Sequence, residues 1–217
     1  MSNEATASKR GLYARSHKRR EQIALAVLEL VDEAGHASVT TALVAQRSHT
    51  PEPTVLYHFP TKDHLLVAAL ERADDIAVLS ADGESDEVRL DLEALRRAAD
   101  SALRENERRV RLYVVLMGQA ATPSHPAAEY FTRRTERGVA IFTRLVARRQ
   151  QEGLAHPGLD PAQVARQIVA LWDGLTLMWV NDRTLEVGWL LRDAVRRLSG
   201  ENWMAARELL NRDDVGL

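Results

Sequence analysis

The sequence has no cysteine among its 217 residues. Disulfide bridges, cysteine zinc sites and thiol nucleophiles are therefore excluded, and a reducing cytoplasm is the expected location. It also lacks any run near the roughly 18 uncharged apolar residues of a membrane-spanning helix, and its N-terminus holds no apolar core of about seven residues for a signal peptide. No membrane partner is expected. A phosphate-cradling glycine loop, a nucleophile elbow, an HExxH pair and a paired-carboxylate pattern are all missing, so neither an enzyme nor a cofactor is expected. The seven histidines are scattered. His58 and His64 lie six apart across a helix break and His125 and His156 fall in loops, so no metal site is expected.

What is present reads as an ordinary globular chain, with 45% hydrophobic and 28% charged residues. Its length suits one large domain or two small ones. The formal net charge of −2 conceals an asymmetry: through Lys62 there are eight basic residues against six acidic, and after it 21 against 25. Lys9, Arg10, Arg15, Lys18, Arg19 and Arg20 fall within twelve residues. Such a cluster attracts phosphate backbones or other anionic surfaces, although on its own it is equally the mark of a solvated tail.

No run of strict alternation and no repeat occurs, and the periodicity predicts an all-α chain. Ile23, Val27, Leu30, Val31 and Ala34 recur at helical spacing and Gly35 supplies a stop, which predicts helix one from Arg19 to Ala34. Thr40 is positioned to cap a short second helix ending near Ser48. Thr50 can cap a third, with Pro51 at its first position and Pro53 still in the first turn, where no intrahelical amide is lost. That helix ends before the Phe59-Pro60 step, because a residue preceding proline is pushed out of the helical region. Thr61 caps a fourth helix bearing Leu65, Leu66, Ala69, Leu70, Ala73 and Ile76, until the polar stretch around Gly83. Further helices are predicted near 87–104, 107–120, 126–151, 161–181, 184–198 and 201–210, with Asp160-Pro161 as a strong start signal.

Two short helices joined by a tight turn and preceded by an amphipathic helix form the architecture of helix-turn-helix DNA readers, although a plain helical bundle has similar helix lengths. The spacing of particular residues decides between them. Gly35, Val39-Thr40-Thr41, Val44-Ala45, Pro53-Thr54-Val55, His58-Phe59, Lys62 and Leu65-Leu66, with the stretch FPTKDHLL, closely resemble the DNA-binding domain of the TetR family over Arg20 to Leu70. The resemblance implies an N-terminal three-helix domain followed by a helical ligand-binding and dimerisation domain. It also implies a homodimer on double-stranded, pseudo-palindromic operator DNA, released by a small-molecule inducer that shifts helix four. The implied organisation is a basic flexible arm over 1–16, the DNA-binding domain with its connecting helix over 17–79, and the ligand-binding domain over 86–217.

Candidate DNA contacts follow from chemistry. Lys62, Thr40 and Tyr57 can reach phosphate oxygens, with Lys18, Arg19 and His58 beside them. Base reading falls to Glu52, Pro53 and Thr54, with Thr50 at the helix start, since Thr and Pro can touch a thymine methyl and Glu can accept from cytosine N4. The sequence departs from the family pattern at His49, where glycine is usual and positive φ is required. Leu56 replaces the usual tyrosine, and Ser48-His49-Thr50-Pro51 keeps only the small first residue of the usual turn. In the C-terminal half, Val164, Ile168, Leu171, Trp172, Leu175, Met178 and Trp179 form one apolar face, and Val187, Leu191, Val195 and Leu198 another, which the resemblance makes the dimer faces. Tyr113, Met117, Phe131, Phe142, Trp172 and Trp179 are the candidates to line an inducer cavity, with plain core packing as the alternative.

Overall fold

The computed structural model describes residues 2–81, 91–205 and 207, with side chains from Ala14 to Ala77 in the first of these stretches. Among the described residues there is no strand. The helices run in the order α1 (Ser2–Ala34), a 3-10 turn (His36–Ser38), α2 (Thr41–Arg47), α3 (Glu52–His58) and α4 (Lys62–Ala81), then α5 (Leu92–Arg104), α6 (Glu107–Gln119), α7 (Ala127–Gln151), α8 (Pro161–Asn181) and α9 (Val187–Leu198). Residues 201–205 are also helical. The helix expected from Arg19 begins at Ser2, so residues 2–16, expected as an arm, form its first turns. That stretch contains three alanines and two arginines and no proline, so nothing local breaks a helix that continues from the amphipathic part of α1. Of the helices expected near 87–104 and 201–210, residues 87–90, 206 and 208–210 lie outside the described residues.

Two compact units emerge, Met1–Gly83 with Arg108–Tyr130, and Glu84–Glu107 with Phe131–Leu217. In the first, Ile23, Val27 and Val31 of α1 are fully buried, and Val39, Val44, Val55, Phe59 and Leu65 join them. Burying each such side chain contributes on the order of 1.5–3 kcal/mol, enough to hold two-turn helices that are marginal alone. Gly35 ends α1 at φ +82°, a backbone conformation that glycine adopts without a Cβ penalty. Residues 108–130 group with this unit through named bonds. Arg108 Nη1 donates to the last-turn carbonyls of Asp32 (2.8 Å) and Glu33, and Arg109 Nη2 reaches Asp32 Oδ2 at 2.6 Å. The buried Tyr130 donates its hydroxyl to Asp74 of α4 at 3.0 Å, and His125 Nε2 lies 3.4 Å from Asp63 Oδ2.

In the second unit α9 packs on α5 and α8. Gly188 makes the approach to α5 possible: its N–H donates to Asp100 Oδ1 at 3.0 Å, and a Cβ there would lie 2.5 Å from the Arg96 carbonyl oxygen. Asp160 caps α8 by accepting from the Ala162 amide at 2.9 Å, with Pro161 following as the sequence predicts. The two apolar faces expected at a dimer interface are largely consumed here. Val164, Ile168, Leu175 and Trp179 of α8 and Val187, Leu191 and Val195 of α9 are buried within the single chain, because α9 lies against α8 and α5 and covers them. The apolar side chains left outside are Leu177 and Met178 of α8 and Trp189 and Leu190 of α9, with Met178 56% exposed.

Candidate nucleic-acid interface

The short helix α3 is held from beneath and left open above. Val55 and Phe59 are its buried anchors, while Glu52, Pro53, Leu56 and Tyr57 are exposed and Thr54 and His58 half-buried. Tyr57 is 81% exposed, with its ring edge-on to that of His58 at a centroid distance of 5.3 Å. At seven residues α3 is about 10 Å long, which suits a helix whose one face is inserted into a groove.

The turn before α3 is set by two residues. His49 takes φ +48°, the positive angle expected where glycine is replaced. Thr50, nominated both as a cap and as a base contact, is instead only 3% exposed. Its hydroxyl donates to the Ser48 carbonyl at 3.1 Å and accepts from Arg19 Nη1 at 3.2 Å. Pro51 occupies the N-cap position of α3 with no side-chain cap, because the threonine oxygen is already committed to the turn and to α1. Thr50 therefore fixes the entry angle of α3 and faces away from its open surface.

Thr40 does cap α2, accepting from the Leu43 amide at 3.3 Å, and remains exposed. Thr61 accepts from the His64 amide at 3.4 Å and meets His64 Nδ1 at 2.8 Å at the start of α4. Lys62 donates from Nζ to the Ala37 carbonyl at 2.9 Å, tying α4 to the 3-10 turn while its ammonium stays exposed with further N–H groups to give. Lys18, Arg19 and Arg20 are exposed on α1.

Arg20, which sequence reasoning placed only in the basic cluster, has a definite position. Its guanidinium lies 4.6 Å over the Phe59 ring, and Nη1 donates to the His58 carbonyl at 3.4 Å, the last turn of α3. No sequence signal separates this arginine from its two neighbours, since the partner is 38 residues away. Burial first, then the charges of Arg20 and Arg19, hold His58 below its ordinary 6.5. Burial and then Lys62 do the same to His36. On the opposite side Arg47 of α2 forks onto Glu33 of α1 at 2.8 and 2.7 Å, and that pairing holds the Glu33 carboxyl below its usual range. Arg47 also lies 3.4 Å from Glu29, so two of the α1 carboxylates are paired with α2.

The arrangement is an exposed two-turn helix flanked by unneutralised cations from α1 and α4. Compared with known families, residues 23–69 match the bacterial regulatory proteins of the tetR family, and residues 89–200, more than half of the chain, match the C-terminal domain of BetI-type transcriptional repressors. The chain belongs to the TetR family. It is a DNA-binding transcriptional repressor of that family, made of regulators. The HTH-type transcriptional repressors KstR of Rhodococcus jostii and of Mycolicibacterium smegmatis are each 28% identical to it. The first aligns over 191 residues, 83% of this chain and 86% of the relative, and the second over 210 residues, 92% and 97%. A TetR transcription regulator from Haloarcula marismortui shares the fold at a TM-score of 0.68 and 21% identity, covering 84% of this chain and 97% of that one.

The six cavity candidates of this TetR-family chain fall in different units. Tyr113, buried, and Met117, half-buried, belong to the first; Phe131, Phe142 and Trp172, half-buried, and Trp179, buried, belong to the second. The Trp179 ring is covered by the Arg183 guanidinium at 4.3 Å, and Arg183 in turn pairs with Glu107. No helix among the described residues is long and apolar enough to cross a membrane, and none of their His, Asp and Glu side chains gather as a metal site.

Proposed function

We propose that the protein binds a pseudo-palindromic operator as a homodimer in the cytoplasm, with α3 of each protomer in the major groove, and leaves it when a small-molecule inducer occupies the helical region C-terminal to α4. The exposed face of α3 between flanking cations is the observation that carries this reading. Glu52, Pro53 and Thr54 read base edges, while Lys18, Arg19, Thr40, Tyr57, His58 and Lys62 contact phosphates. Thr50 acts indirectly, by holding the turn with Arg19. Leu177, Met178, Trp189 and Leu190 join two protomers, since a C2 interface needs a self-complementary apolar patch and these are the large apolar side chains that α8 and α9 leave exposed. Of the cavity candidates, Phe131, Phe142, Trp172 and Trp179, all of the second unit, hold the inducer. Its signal passes to α4 through residues 107–130, whose Tyr130 and His125 engage Asp74 and Asp63 of that helix.

A coupling of about 1–3 kcal/mol would change operator affinity roughly 5- to 150-fold, sufficient for a switch. The test is a mobility shift of the purified protein on the DNA flanking its own gene, over a salt series and against random competitor, beside the Thr54→Ala, Lys62→Ala double variant. A dimer complex that survives competition and weakens in the variant is expected. Equal binding to random DNA, unchanged by the variant, would overturn the reading.

A further inference from the structure

The exposed face of α3 is not uniform in chemistry. Glu52 carries a carboxylate, and Thr54, Tyr57 and His58 end in groups that can hydrogen-bond, but the side chains of Pro53 and Leu56 hold neither donor nor acceptor. Three residues apart on a helix, these two are surface neighbours, and Glu52 lies one turn before Leu56. Leu56 is 44% exposed, whereas Val55 and Phe59, which anchor the helix, are 0% and 1% exposed. The leucine is therefore not what holds α3 in place.

A single exposed leucine is ordinary on a protein surface. On a helix that enters a DNA groove it has consequences. Whatever base edge it covers loses water, and a leucine returns no hydrogen bond, so covering an amino or carbonyl group weakens binding. Phosphate is a poor partner for the same reason, and the cations that suit it, Lys18, Arg19 and Lys62, come from α1 and α4. One group in the major groove is apolar, the 5-methyl of thymine, and it distinguishes thymine from the other three bases. With Pro53 beside it, Leu56 offers that methyl a surface made of carbon.

We propose that Leu56 is a specificity-determining residue, which selects a thymine in each half-site by apolar contact with its 5-methyl group. The inference rests on the reading that α3 enters the major groove, and it adds to that reading one base and the group on it that one side chain recognises. Leu56 sets sequence preference without adding charge, so it acts on discrimination between operators and leaves the salt dependence of binding to the flanking cations.

The test uses the full chain and the operator recovered by selection from a randomised DNA pool, with each thymine of a half-site replaced in turn by uracil. That exchange removes the 5-methyl and alters no hydrogen-bonding group of the base. At one position it is expected to weaken binding by the parent chain about fourfold per half-site, the effect of withdrawing one apolar carbon from contact. Leu56→Ala should bind the thymine operator more weakly and be indifferent to uracil at that position, while Glu52→Gln and Thr54→Ala keep the parent's sensitivity there. The uracil scan of the parent needs no variant to fold, and Leu56→Ala, at an exposed position, should melt as the parent does. A half-site without thymine, a parent indifferent to uracil at every position, or a Leu56→Ala variant as sensitive as the parent throughout would overturn the inference and leave base reading by α3 standing. If no two-half-site sequence is recovered, or if Glu52→Gln and Thr54→Ala select the same sequences as the parent, the reading of α3 itself fails and this inference with it.

Discussion

Helices α3 and α9 are both short, both amphipathic and both anchored by buried valines, yet their outer faces differ in kind. α3 shows Glu52, Pro53, Leu56 and Tyr57 to solvent, flanked by Lys18, Arg19 and Lys62 from other helices. α9 shows Trp189 and Leu190 beside arginines that are paired with Glu93, Asp193 and Glu201. The first face carries cations that form no ion pair among the described residues, and suits a polyanion. The second is apolar with its charges neutralised, and suits a copy of itself. On the proposed reading the same secondary structure serves two kinds of partner, and the surrounding ion pairs decide which.

The largest expected effect strikes the footing of α3. Phe59→Ala removes a ring that is 1% exposed and sits beneath the Arg20 guanidinium. It should cost about 3–5 kcal/mol in denaturant unfolding, with operator binding lost through misplacement of α3. The matching change at the footing of α9 is Gly188→Ala. Its methyl would meet the Arg96 carbonyl, and a loss of roughly 1–3 kcal/mol is expected from the forced backbone shift. If Gly188→Ala left the melting temperature unchanged, the close approach of α5 and α9 would not be the constraint it looks to be.

The outer faces should respond oppositely. Lys62→Ala should weaken DNA binding about equally on all sequences and lower the salt slope by about one ion. Leu190→Ala should leave that slope alone and instead weaken self-association, read by sedimentation at falling concentration. An unchanged slope in Lys62→Ala would mean that its ammonium is wholly occupied by the Ala37 carbonyl.

The smallest effect is with pH. His36 and His58 both titrate below 6.5 in the folded chain, so the unfolded chain binds more protons as pH falls. Stability of this region is full above 6.5 and declines below it as pH falls toward the folded values. The melting temperature should drop between about pH 7 and 5 by less in the His36→Gln, His58→Gln double variant than in the parent chain.

What could be read in advance follows the same division. The elements around α3 are fixed by local chemistry: Thr40 caps, Gly35 stops, Phe59-Pro60 terminates, and His49 turns. Each acts within a few residues, so sequence spacing reveals it. Thr50 does not cap α3 because its hydroxyl is held by Arg19, 31 residues away, whereas in the sequence a threonine before Pro51 reads as a cap. The apolar stripes of α8 and α9 are ambiguous for a related reason. An apolar stripe says that a helix is covered, without saying whether by its own chain or by another, and here α5 and α8 cover α9. Arg108 and Arg109 joined residues 108–130 to the first unit through bonds more than 70 residues apart, which no periodicity announces.

Whether α3 reads bases with its exposed face is tested most directly by selecting bound sequences from a randomised DNA pool with the parent protein and with Glu52→Gln, Thr54→Ala and Lys62→Ala. The expected result is a two-half-site preference that changes at one or two positions for Glu52→Gln and Thr54→Ala, at a cost of about 1–3 kcal/mol per altered contact, and keeps its pattern at lower affinity for Lys62→Ala. Identical preferences in all four proteins would contradict it, and would leave α3 as an anchor on the backbone rather than the reader.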